Sequence, residues 1–163
     1  MIELRLHGGI WRNAGDRRQE WQQTLDEINA SNAFAVVGDA GDRELSLEIV
    51  RLPSGAFLLR LYEDVFERLG EVALESEALD ALFSDYAQTI RHMVHVEQDA
   101  PVRGFESLDF AKRVVHDEAA AFIESALGEM LVVGSEDARR FFTLLFLIAG
   151  DLPERLVRFH RFH

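Results

Sequence analysis

Apolar residues change their period along this chain, and the change constrains the fold more than any other feature. Over residues 45–61, Leu45, Leu47 and Ile49 alternate with polar neighbours, Pro53-Ser54-Gly55 reverses the chain, and Phe57, Leu59 and Leu61 resume the alternation. A period of two places one side of a strand in a core and the other toward water, so this segment is expected to be a hairpin. From Leu79 the apolar residues recur every three or four positions instead, as Leu79, Leu82, Phe83, Tyr86, Ile90 and Met93, which is the stripe of an amphipathic helix.

The remaining segments fit around this switch. Ile2, Leu4 and Leu6 alternate as a strand, with Gly8-Gly9 as a turn that makes the start of the chain a short hairpin. A helix follows from Asp16, carrying Trp21, Leu25 and Ile28 and ending at residues 29–32. Residues 34–37 form a strand, Gly38-Asp39-Ala40-Gly41-Asp42 a turn, and residues 65–74 a further strand interrupted near Gly70 by a bulge or turn. Ser76 caps the helix described above, and Asp99-Ala100-Pro101 breaks it. The next helix, about residues 105–127, has Leu108, Ala111, Val115, Phe122 and Ala126 on one face and stops at Gly128. Ser135-Glu136-Asp137 caps a last helix whose residues 141–148 are apolar nearly all round, so it should lie in the middle of the cluster.

Strands in the first half and helices in the second make an α+β fold: an N-terminal antiparallel sheet with one helix, and a C-terminal three-helix cluster packed on it. The 163 residues suit a single core. The expected domain is 1–150, with 151–163 as a tail in which Phe159, His160, Phe162 and His163 are able to pack on a neighbouring subunit.

Acidic residues outnumber basic ones by 29 to 17, for a formal charge of −12, a field that repels nucleic-acid phosphates and anionic membrane surfaces. There is no cysteine, which excludes disulfides, thiolate nucleophiles and cysteine-ligated metals. Met1-Ile2-Glu3-Leu4-Arg5 mixes charged and apolar residues, unlike the core of a signal peptide, and no apolar run approaches the ~20 residues of a membrane span. The cytoplasm is the expected compartment.

Three segments resemble a known family. Phe105-Glu106-Ser107-Leu108-Asp109-Phe110-Ala111-Lys112-Arg113-Val114-Val115-His116-Asp117-Glu118 is similar to the signature stretch of uncharacterised protein family 0262, found mainly in alphaproteobacteria. Asp137-Ala138-Arg139-Arg140-Phe141-Phe142-Thr143-Leu144 resembles a second family segment and Asp85-Tyr86 a third, all in the family's order. The likeness runs roughly over residues 2–148. Val114 and Ala119 stand where the family pattern has glycines, and Lys112 where it has arginine, which puts the close helix approach of the glycines in question here. The resemblance implies a bacterial, cytoplasmic protein and assigns no activity.

Candidate chemistry centres on the helix bearing Asp109, Arg113, His116 and Glu118. Asp109, Arg113 and His116 are spaced four and three residues apart, so they share one helical stripe where a base, its orienting carboxylate and a cation are able to converge. The same spacing describes an ordinary ion-paired helix border. Glu118 lies about 200° round from His116 and does not join them. His92 and His95 are an i, i+3 pair able to offer two imidazoles to one metal, but Glu97 is badly placed as a third ligand. Lys112, the only lysine, is read as a solvated charge. Asp39, Asp42 and Glu44 form a turn, lacking the alternating ligands of a calcium loop. The phosphate-loop, dinucleotide and nucleophile-elbow motifs are absent, and no cofactor is expected.

The expected function is therefore a small non-enzymatic protein that binds another protein or itself, as a homodimer, a reading suggested by the missing catalytic motifs, the dense apolar last helix and an aromatic tail able to dock on a partner. The rival is an enzyme or small-ligand receptor with a pocket around His116, Asp109 and Arg113.

Overall fold

The computed structural model describes residues 1–38, 43–64, 66–99 and 102–149, with only the backbone for 94–99 and 102–108. Six strands and five helices appear among them: β1 (Ile2–Leu6), α1 (Gly8–Trp11), α2 (Arg18–Ala30), β2 (Phe34–Val36), β3 (Leu45–Arg51), β4 (Phe57–Tyr62), β5 (Arg68–Leu74), α3 (Ser76–Asp99), α4 (Val102–Leu127), β6 (Leu131–Val133) and α5 (Ser135–Ala149). A single 3-10 turn, Gly15–Arg17, leads into α2. The α+β class is as expected. The tail at 151–163 and the turn at 39–42 lie outside the described residues.

The sheet itself is mixed. Its order is β1-β3-β4-β5, with β3, β4 and β5 antiparallel but β1 parallel to β3, in register from Ile2 against Leu45 to Leu6 against Ile49. The expectation of an antiparallel sheet thus fails at one strand. The reason is the long connection between β1 and β3, which contains α2 and is of the length a parallel crossover needs. Gly8-Gly9 does not form a hairpin turn either. It opens the single turn of α1, where the His7 ring accepts a hydrogen bond from Gly9 N at 3.0 Å.

Between β4 and β5 the register slips at Leu61/Tyr62: Leu61 faces Gly70, Tyr62 faces Arg68, and Leu69 is the extra residue. This is the irregularity expected near Gly70. β2 pairs with β6 in a second, two-stranded antiparallel sheet that ties the first half of the chain to the second.

One face of the main sheet is sealed by Ile2, Leu4, Leu47, Ile49, Phe57, Leu59 and Leu61, all buried. Against the rest of the core lies α5, in which Ala138, Phe141, Phe142 and all of Leu144-Leu145-Phe146-Leu147-Ile148 are buried. Its central place follows from that composition, because a helix apolar all round must be surrounded. Phe141 meets Phe34 of β2 edge-on at 5.4 Å, and Phe142 stacks on Phe83 of α3 at the same separation. No helix among the described residues is long and apolar enough to cross a membrane.

Candidate functional site

The helix α4 is oriented by a face that its apolar residues do not mark most strongly. Lys112, Ala119, Ala120, Ile123 and Leu127 are buried, with His116 half-buried on the same stripe. Val115, Phe122 and Ala126, expected to define the buried face, are only partly buried beside it. Lys112 lies on the stripe of Ala119, Ile123 and Leu127, so the packing that buries these residues turns it inward with them.

Lys112 is therefore fully buried, which overturns its reading as a solvated charge. Its Nζ lies over the Tyr86 ring, 5.9 Å from the centroid, within the range of a cation–π contact. Burial pulls its pKa down from 10.5 to about 8, against the nearby Asp109 charge, which raises it. Tyr86 itself is fully buried, and the same loss of water pushes its phenol pKa well up.

His116, one turn further along α4, stacks on the same cluster, its ring 4.7 Å from that of Tyr86 and 6.0 Å edge-on from Phe142. Its Nε2 is buried and has no hydrogen-bond partner among the described residues. Burial first, then the charges of Lys112 and Arg139, lower its pKa to about 4, so the ring is neutral at pH 7 and a weak base there.

Asp109 and Arg113 do come together, as an i, i+4 ion pair at the surface end of the stripe, with Arg113 well exposed. His116 faces the aromatic core instead. The described cavities are lined by none of the three. Glu118 is exposed, and the neighbouring Asp117 reaches across to Arg139 of α5 in an ion pair. On α5, Arg140 bonds both Asp137 and Glu136, and Asp137 accepts from the Ser31 hydroxyl at 2.9 Å.

His92 is exposed, and the side chain of His95 lies outside the described residues. Among the described residues no group of three or more His, Cys, Asp or Glu side chains is placed to hold a metal.

Two features escaped the sequence. Directly behind the buried stripe, about 200° round the helix from Lys112, Phe110 and Val114 stand exposed one turn apart, Phe110 with 66% of its surface in water. Their alternation with Lys112 and His116 is the signal that was available. The other is a cleft of about 370 Å³ where α1, α2, the end of β3 and α5 meet, with His7, Trp21 and Arg51 among its walls. Four distant segments build it, so no local pattern announces it.

Comparison with known proteins places these features in context. The profile of the Uncharacterised protein family (UPF0262) matches residues 1–150. A UPF0262 protein of Sphingopyxis alaskensis is 25% identical over 152 residues, covering 90% of each chain. One from Cereibacter sphaeroides is 28% identical over 136 residues, covering 80% of this chain and 84% of its own, and one from Azorhizobium caulinodans is 24% identical over 136 residues, covering 83% and 84%. No solved structure matches the chain at a significant level.

Proposed function

The chain belongs to the uncharacterised family UPF0262, and from that premise we propose that it works by binding, as a homodimer whose contact surface is the exposed face of α4. The observation that carries the proposal is the pair Phe110 and Val114, large apolar side chains left in water on a helix whose opposite side is locked into the core. The last helix, apolar nearly all round, lies in the protein's own interior as expected.

Self-association suits this face. A two-fold interface is self-complementary, so a patch that holds apolar residues and both signs of charge matches a copy of itself. Phe110 and Val114 supply the apolar centre, while Asp109, Arg113 and Asp117 supply charges of both signs at its edge. At 26 residues α4 is long enough, about 39 Å, to support the roughly 800 Å² per partner of a standard interface.

The absence of cysteine gives a direct test. In Val114→Cys the introduced thiol is the only one, and a short bismaleimide linker should join two chains through it in high yield at low protein concentration. A cysteine at exposed Gln23 on α2 should not cross-link. Equal yields at both positions would sink the proposal.

A further inference from the structure

We infer that the cleft between α1, α2, the end of β3 and α5 is a binding site for a small carboxylate with an apolar body. The inference is independent of the α4 face and of the dimer. A cavity of about 370 Å³ is within the usual span of small-ligand pockets.

What chooses the ligand is the set of polar groups on its walls. Arg51, at the end of β3, holds its guanidinium over the Phe57 ring at 5.6 Å and donates to the Ile148 carbonyl at 3.5 Å. Both contacts are long and the side chain is exposed, so a guanidinium with five N–H donors is able to take a carboxylate through two parallel bonds as well. The His7 ring accepts from Gly9 N through Nδ1, so the proton of the neutral ring sits on Nε2 and makes that nitrogen a donor.

Trp21, 3% exposed, adds its indole ring to the wall. Asn13 spends its Nδ2 on the Gly9 carbonyl at 3.2 Å, leaving an acceptor for a protonated or hydroxylated ligand group.

No carboxylate lines this cleft among the described residues, and Ile10, Val50 and Leu52 provide its apolar wall. The Arg51 guanidinium, the His7 imidazole and an apolar wall select an anion with a hydrocarbon body. The overall charge of −12 does not override that choice, because charges beyond about 8 Å are largely screened at physiological ionic strength.

The protein carries its own reporter. Its only two tryptophans, Trp11 and Trp21, have ring centroids 6.3 Å apart, and Trp21 lines the cleft, so intrinsic fluorescence reads the site directly. Titrating the full chain with phenylacetate should give a saturable fluorescence change, and the neutral phenylacetamide should give none. Arg51→Gln should weaken phenylacetate by at least about tenfold with an unchanged circular dichroism spectrum. The inference is overturned by a flat titration in the unmodified chain, by equal binding of acid and amide, or by full affinity in a folded Arg51→Gln protein.

Discussion

At the scale of single residues, the aromatic cluster around Tyr86 sets how the protein responds to acid. His116 has a pKa of about 4 in the folded chain and an ordinary value near 6.5 when unfolded. Between those values the unfolded chain binds a proton that the folded chain refuses, so stability is full above pH 6.5 and falls as pH drops toward 4. The loss is on the order of 3 kcal/mol. His116→Phe keeps a ring against Tyr86 and removes the titration. Urea unfolding at several pH values should show the unmodified chain losing that much more stability than the variant across the window, and parallel profiles would refute the assignment. Lys112 makes a different prediction. Its buried charge carries a desolvation cost, and Asp109 retains Arg113 as a partner without it. Lys112→Met should hold or raise stability at pH 7 by about 1–2 kcal/mol, whereas a comparable loss in urea unfolding would show that the cation anchors the cluster.

At the scale of elements, a side chain completes the outer edge of β1. Asn29 of α2 accepts from Leu4 N at 2.8 Å and donates to Leu4 O at 3.0 Å, so its amide continues the sheet where another strand would sit. This blunts an edge that is otherwise open to pairing with other chains. Asn29→Ala should destabilise the fold by about 1–3 kcal/mol in urea unfolding, since both backbone groups lose their partner; a change under about 0.5 kcal/mol would mean that water replaces the amide. Elements were also where the sequence was most and least legible. The hairpin of β3 and β4 and the stripe of α3 were plain, because in each the buried side chains are large and follow one period. The direction of β1 was not, because Ile2, Leu4 and Leu6 alternate identically whether the strand runs parallel or antiparallel. The three residues of β6 are too short to show a period at all. On α4 Val115 and Phe122 outweigh Ala119 and Ala120 in any hydrophobic count, so the sequence points to the neighbouring face, although it is the alanines that are fully buried. Of the candidate site, the Asp109–Arg113 pair was legible from spacing alone, whereas the inward turn of His116 and Lys112 depended on which neighbour α4 met.

At the scale of the whole molecule, the acidic balance and the apolar face of α4 oppose one another. Two chains of formal charge −12 repel, and an interface centred on Phe110 and Val114 must overcome that repulsion. Added salt screens the repulsion and leaves the apolar contact intact, so dimerisation through α4 should strengthen as ionic strength rises, the reverse of an association held by ion pairs. The most direct test is sedimentation equilibrium on the unmodified chain and on Phe110→Ser/Val114→Ser, each at low and at moderate salt. The account predicts a concentration-dependent dimer that tightens with salt in the first, and a monomer with an unchanged melting temperature in the second. A monomer at every concentration, or a dimer that the double substitution leaves equally tight, would contradict it.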